Sequence, residues 1–512
     1  MPLWGGLVRR RRTGNSAAER SRLTGVPTAD AENISRFLGN PPDLVTRRYE
    51  DLSSGSVVAL YLSTMIDEES VRRFVLLPLT EDDGSLFGST AEPDSVAIPT
   101  GRVKSEQLIE RVTEAVLRGQ VALLKRGDRA ALLVAVKGPP TRALGESSLN
   151  RTTRGPRVAF TEDLDTNVSL LRRSLPDPQM RLDEITVGRR TKTRVAIAYV
   201  DDIAKPEVVR TIKGRISRID IDGVFASGLI EQMIEDHPFS LFPQMIGTEL
   251  PSKAASGLLE GRVAIIADGT PFVIVGPAVF ASFLQAQEDY NERVWIGNLY
   301  AVLRYASLLI SLTLPPLYVA MSTYNPELLP LKIATAIALA RSGVPFPPII
   351  EALLFELVID LIREMGLRLP SPLGQTVGVV GGIVLGEASI RAGLVSPAML
   401  VVVVLTTIST YATPIYTMAQ SQRIVRVPLM LLSAVFGIYG LTLGLLAVLA
   451  HLCSLEAFGI PYLSPFAPLR YRDLKDTIIR VPWWMMRSRP SATSRASESD
   501  RQDGDYDQIH QQ

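Results

Sequence analysis

Ala392-Gly-Leu-Val-Ser-Pro-Ala-Met-Leu-Val-Val-Val-Val-Leu-Thr-Thr-Ile-Ser-Thr-Tyr-Ala-Thr-Pro-Ile-Tyr-Thr-Met-Ala-Gln-Ser-Gln422 carries no charged side chain. A helix needs roughly 20 apolar residues to cross ~30 Å of hydrocarbon, so this run is long enough to span a bilayer. It lies in a wider region, Leu373 to Cys453, that only Glu387, Arg391, Arg423 and Arg426 interrupt with charge. The first 290 residues, in contrast, read as ordinary water-soluble α/β protein. The fold class that follows is an α/β soluble N-terminal region of two similar subdomains, followed by an all-α polytopic membrane domain.

Composition narrows the function. The 512 residues carry a formal net charge of +1, which argues against nucleic-acid binding, since that usually shows as a basic field over a whole domain. Cys453 is the only cysteine, and the histidines (His237, His451, His510) are dispersed. Neither an internal disulfide nor a thiolate zinc cluster can be built from that set, and no cofactor or metal is expected. Phosphate loops, dinucleotide fingerprints, His-Glu-x-x-His and Gly-x-Ser-x-Gly elbows do not occur, and nothing else supports an enzyme. The basic cluster Arg9–Arg12 follows a very short apolar patch. A secretory signal has the reverse order, so the N-terminal domain is expected in the cytoplasm.

Residues 43–290 contain an internal echo. Val58-Ala-Leu-Tyr-Leu leads into Met65-Ile-Asp, as Val195-Ala-Ile-Ala-Tyr leads into Asp202-Ile-Ala. Val121-Ala-Leu-Leu and Ala131-Leu-Leu-Val flank Gly127 much as Val263-Ala-Ile-Ile and Phe272-Val-Ile-Val flank Asp268-Gly269. Asp-Gly between β-rich runs is a hairpin signal. The expected organisation is a disordered basic tail over 1–42, cytoplasmic α/β subdomains over 43–165 and 166–290, and a transmembrane domain over 291–456. A juxtamembrane segment over 457–489 and a disordered tail over 490–512 complete it.

The span candidates are 299–322, 374–392, 396–419 and 427–453, with a kink expected at Pro315-Pro316. Between them, residues 325–370 fit no simple span, because Pro326, Pro330, Pro345, Pro347 and Pro348 break the chain. A re-entrant or amphipathic placement is expected there. Within it Glu356, Asp360 and Glu364 share one stripe of a helix, and Glu351 falls just outside. These four acids are the candidate pore or acidic face. They either rest in interfacial water or line a cation path in an oligomer. Basic residues after the last span favour a cytoplasmic C terminus and an even number of crossings, four to six. Arg423 and Arg426 would then sit on the wrong side of a four-span arrangement.

Ser227-Gly-Leu-Ile-Glu, Ile234-Glu-Asp-His-Pro-Phe-Ser-Leu-Phe-Pro-Gln, Leu258-Leu-Glu-Gly-Arg-Val-Ala-Ile-Ile-Ala-Asp-Gly-Thr-Pro-Phe and Gly459-Ile-Pro-Tyr-Leu-Ser-Pro resemble the A subunit of GerA-type spore germinant receptors. Glu288-Asp-Tyr-Asn-Glu-Arg, Gly343-Val-Pro-Phe-Pro and Val395-Ser-Pro-Ala-Met carry the same resemblance, which runs over about 43–489. The matching motif positions include Asp236, Pro238, Glu260, Gly261, Arg262, Asp268, Gly269 and Pro271. Where the family reads Thr-Glu-Arg-Pro-Asp, this chain has Thr248-Glu-Leu-Pro-Ser. Any contact the family makes through that Arg and acid is therefore in doubt here.

The resemblance implies a multi-pass protein of the spore inner membrane. Its partners would be a transporter-like B subunit, a lipoprotein C subunit, membrane lipid and further copies of itself, with no nucleic acid. It implies an oligomeric ion conduit or signal transducer. An A-like subunit linked to the SpoVA dipicolinate channel, or a non-conducting scaffold, are the alternatives. A transporter acting alone is disfavoured, since no matched pair of interrupted helices is visible.

Overall fold

Strand β2 (Val57–Leu62) is buried on both faces, as its unbroken apolar composition requires. Alternate residues of a strand point to opposite sides. Val58, Leu60 and Leu62 enter one apolar cluster, while Val57, Ala59 and Tyr61 enter another. The computed structural model describes residues 22–50, 55–77, 79, 103–136, 154–368, 382, 386–482, 485–486 and 488–495. They divide into two units. The first takes the chain up to 151 with 156–234 and 247–275, and the second takes 152–155, 235–246 and everything from 276 onward.

The first unit is built from two five-stranded sheets. In chain order its elements are α1 (Pro27–Leu38), β1 (Leu44–Tyr49), β2, β3 (Val103–Glu106), α2 (Ile109–Leu117), β4 (Gln120–Lys125) and β5 (Ala131–Ala135). There follow α3 (Leu164–Ser174), β6 (Met180–Val187), β7 (Thr193–Val200), α4 (Pro206–Ile216), α5 (Ser227–Ile234), β8 (Ile246–Thr248), α6 (Pro251–Leu259), β9 (Val263–Ala267) and β10 (Val273–Gly276). The strand orders are β1-β2-β4-β5-β3 and β6-β7-β9-β10-β8. Each strand of the first sheet thus has a counterpart in the second. The central pairings match too: Val57 faces Lys125 across β2 and β4, and Val195 faces Ala267 across β7 and β9.

The polar tail is shorter than its composition implies. Helix α1 lies inside the stretch expected to be disordered, and it buries Ala31, Ile34 and Leu38 against the first sheet. Pro27 opens that helix and left-handed Gly39 closes it, at the positions where those residues favour helix ends. Residues 1–21 and 496–512, the rest of the expected tails, lie outside the described residues.

One ion pair joins the two α/β halves. Arg172 of α3 grips Asp43, just before β1, through Nε–Oδ2 at 3.0 Å and Nη2–Oδ1 at 2.8 Å. Asp43 also accepts from Thr64 Oγ1 at 2.7 Å. Both charged residues are buried, Arg172 at 1 % exposure and Asp43 at 7 %.

Lys253, after the altered Thr248-Glu-Leu-Pro-Ser motif, keeps part of its side chain in water. Burial of its amine, with help from the Arg262 charge, nonetheless pushes it down to about 8. The unfolded chain then holds more protons than the folded one between about pH 8 and 10.5, so stability rises with pH across that window. Lys253→Met is expected to stabilise the protein by about 1–2 kcal/mol at pH 7, with the gain fading as pH climbs towards the amine's ordinary value. A thermal-melt series for both proteins over pH 7 to 10.5 checks it. A gain that does not change with pH would remove the amine as its cause.

The second unit is helical: α7 (Val294–Thr323), α8 (Leu331–Arg341), α9 (Pro348–Arg368), α10 (Pro397–Tyr411) and α11 (Tyr416–Ser454). Among the described residues, α7 and α11 are long and apolar enough to cross a membrane. Helix α7 runs on through Pro315 and Pro316, where a kink was expected. Within the stretch expected to be re-entrant or amphipathic, a short turn at Pro326–Leu328 precedes α8, and the helix expected after Pro348 is α9. The span expected over 374–392 lies mostly outside the described residues. The one expected over 396–419 is cut at 412–415, between α10 and α11.

The span expected over 427–453 is also broken. Gly437, with φ 61° and ψ −140°, turns α11 back on itself. Such a conformation suits glycine, which has no Cβ to clash. A Cβ on Gly444 would press on the Leu429 side chain, and one on Gly440 would strike the Leu432 carbonyl. Residues 429 and 444 would stand about 22 Å apart on a straight helix. The two arms are therefore antiparallel. At the bend, Asn325 at the end of α7 accepts from Ile438 N at 3.3 Å. At the other end, Leu308, Met418 and Leu452 share one core.

Candidate functional site

Two acids of α9, Glu356 and Asp360, pair with arginines of α11. Glu356 accepts from Arg426 Nη1 at 2.6 Å, and Arg426 Nη2 donates to Thr410 Oγ1 of α10 at 3.0 Å. One turn further along α9, Asp360 pairs with Arg423, which also donates to Gln420 at 2.7 Å. Residues 356 and 360 ascend α9 while 426 and 423 descend α11, so the two pairs are rungs between antiparallel helices. Arg426 is 2 % exposed. An arginine so buried must be matched by charge and hydrogen bonds, because desolvation costs several kcal/mol per ion.

Further polar groups lie beside the rungs on α7, α9 and α11. Ser311 of α7 donates to Gln422 Oε1 at 2.9 Å, and Gln422 Nε2 donates to Thr413 Oγ1 at 2.9 Å. The Arg363 guanidinium lies 5.6 Å from the Tyr411 ring and 5.0 Å from the Tyr416 ring, in cation–π range. Glu356, Asp360, Arg363, Thr407, Thr410, Arg423 and Arg426 border a cavity of about 20 Å³. That is room for about one water molecule.

Glu351 belongs to a separate cluster. It is fully buried, accepts from Ser396 N and Oγ at 3.0 Å each, and pairs with Arg341 at 3.3 Å. It thereby anchors the start of α10, whose first turn Ser396 caps. Glu364 instead lies on the surface beside Arg368, at 2.7 Å. The four candidate acids therefore divide three ways: two in the rungs, one in the helix-start clamp and one in solvent. The exposed side of α9 carries Leu354, Leu357, Leu361 and Met365 beside the Glu364–Arg368 pair. Sequence reasoning missed the arginine partners. Their spacing of three on one helix, against a spacing of four between the acids, was the available signal.

The other motif residues are structural. Asp268 accepts from Leu164 N at 3.1 Å, tying the β9–β10 turn to the start of α3. Gly269 takes φ 83° in that turn and donates to Glu162 O at 2.7 Å. Pro271 follows in the same turn. Glu260 and Arg262 pair at 3.0 Å around left-handed Gly261. Leu250, at the position where the resemblance leads one to expect Arg, is 1 % exposed, in the core. Asp236 accepts from Phe458 N, and Pro238 lies in the same loop. Arg304 of α7 pairs with Asp289 and donates to Leu284 O at 2.8 Å.

The comparisons cover both units. The model of the family described as Bacillus/Clostridium GerA spore germination protein matches residues 32–492. Spore germination protein KA of Bacillus subtilis (strain 168) is 38 % identical over 93 % of this chain and 89 % of its own length. The uncharacterized membrane protein YfkQ of the same organism is also 38 % identical, over 91 % of each chain. The crystal structure of the N-terminal domain of the A subunit of the Bacillus megaterium spore germinant receptor GerK3 aligns over 51 % of this chain and 98 % of that one, with 29 % identity and a TM-score of 0.39. With a family match that runs through both the α/β unit and the helical unit, this chain belongs to the GerA family of spore germination proteins.

Proposed function

We propose that this chain is the A subunit of a nutrient-sensing germinant receptor in the spore inner membrane. It works there with a transporter-like B subunit and a lipoprotein C subunit. In this reading α7, α10 and the two arms of α11 cross the bilayer, and the α/β unit lies in the cytoplasm. Several copies form a ring that passes ions, and the Glu356–Arg426 and Asp360–Arg423 rungs hold it closed until the partners signal.

The observation that carries the reading is the placement of these charges. Glu356 and Arg426 are paired in the interior of a helical unit whose outer face presents Leu443, Leu446, Val435 and Ile424, and the partly exposed Asp360–Arg423 pair lies beside them. Charges at such depth are costly, and they mark ion paths or moving parts. Deleting the gene is expected to abolish germination in response to one class of nutrient, while nutrient-independent triggers still work. A mutant that germinates normally with every nutrient, but releases dipicolinate slowly, would favour the SpoVA-linked alternative instead.

A further inference from the structure

The loop His237–Leu241 is part of the helical unit, and it divides its aromatic rings between inside and outside. Phe242 is buried with Leu308, Met418 and Leu452, and its ring lies 6.1 Å from that of His451. Phe239, three residues earlier, is 99 % exposed, and Leu241 is 44 % exposed. The loop that presents Phe239 is held at several points. Asp236 accepts from Phe458 N, Gln244 Nε2 donates to His237 O at 3.1 Å, and Ser421 Oγ donates to Leu241 O. A ring fixed so firmly in solvent calls for a partner.

Its neighbours identify that partner. Ser240 Oγ lies 3.0 Å from His451 Nε2, at the end of the second arm of α11. The exposed stripe Tyr439, Leu443, Leu446 and Leu449 runs along that arm to the same point. Phe239 thus prolongs an outward apolar face just past the end of its helix. Trp295, 87 % exposed, stands at the start of α7, on the same end of the unit. Exposed aromatics at one end of an apolar bundle are the pattern of a membrane–water boundary, where an amphipathic or apolar ring settles among headgroups and upper acyl chains.

We propose that Phe239 is a lipid anchor, buried at the headgroup–acyl boundary of the bilayer that the helices cross. The proposal rests on the membrane reading above. The loop would then fix the depth of both α11 ends, through Ser421 and His451, and so the register of the arginine rungs.

The test uses the full chain with Cys453→Ser, carrying either Phe239→Cys or Leu443→Cys labelled with an environment-sensitive fluorophore. It is reconstituted in phosphatidylethanolamine–phosphatidylglycerol vesicles. A blue shift at both positions is expected, with loss of emission when the lipid carries a nitroxide and little loss with dissolved iodide. The shallow nitroxide should act more strongly at 239 and the deep one at 443. Lipid quenching at 443 with iodide quenching at 239 would overturn the anchor and leave the membrane reading standing. A probe at 239 shielded from both quenchers would also overturn it, since protein then covers the site. Iodide quenching at both positions would remove the membrane reading as well.

Discussion

Replacing Arg172 with methionine is expected to destabilise the α/β unit by about 3–5 kcal/mol, because it strands the buried Asp43 carboxylate without its counter-ion. Among the described residues, Thr64 Oγ1 would be the side-chain donor left to the Asp43 carboxylate. Two features make the loss large. The pair is bidentate with both residues buried, and it links the first sheet's leading strand to α3 of the second half. Arg172→Lys should be intermediate, since an ammonium cannot reproduce the forked contact. Pairing Arg172→Met with Asp43→Leu removes both charges and should recover most of the loss. Chemical unfolding of the four proteins measures this. A loss under about 1 kcal/mol for Arg172→Met would mean the pair behaves like a surface ion pair.

The rungs of the helical unit should show the same asymmetry. Glu356→Gln leaves Arg426 buried without a carboxylate, and a loss of about 3 kcal/mol or more is expected from removing one member of such a pair. Arg426→Met combined with Glu356→Leu should come close to the wild-type stability, or exceed it. If the double variant is also constitutively active in spores, the rungs serve as a latch and not merely as structure. Detergent-resistant thermal unfolding and spontaneous germination report the two effects separately. A double-variant loss equal to the sum of the Glu356 and Arg426 single-variant losses would show that the two residues do not depend on each other.

Much of the architecture was open to sequence reasoning, for physical reasons that differ by region. The charge census separates the two halves because hydrocarbon tolerates few ions. The strand echo at Val58 and Val195 is visible because strands buried on both faces need continuous apolar residues. The ends of α1 were marked by Pro27 and Gly39, but its overall polarity hid the short stripe Ala31, Ile34 and Leu38. The fold-back at Gly437 escaped because a hydropathy window weighs glycine as merely small, whereas its backbone freedom decides the structure. The acidic stripe of α9 was legible as a stripe, but not its environment. Local periodicity shows which residues share a face, whereas the arginines opposite come from a helix some 60 residues away. The Glu235–Ile246 loop is harder still, since nothing local says that it packs with helices 200 residues downstream.

Ion flux across vesicles that hold this chain together with the proposed transporter-like and lipoprotein subunits tests the central claim most directly. A panel of amino acids, nucleosides and sugars would be added one at a time. The account predicts that one nutrient class opens a conductance, that omitting this chain abolishes it, and that breaking the Glu356–Arg426 rung leaves it open without nutrient. An assembled complex that binds nutrient yet passes no ions would contradict the account and leave the chain a non-conducting scaffold.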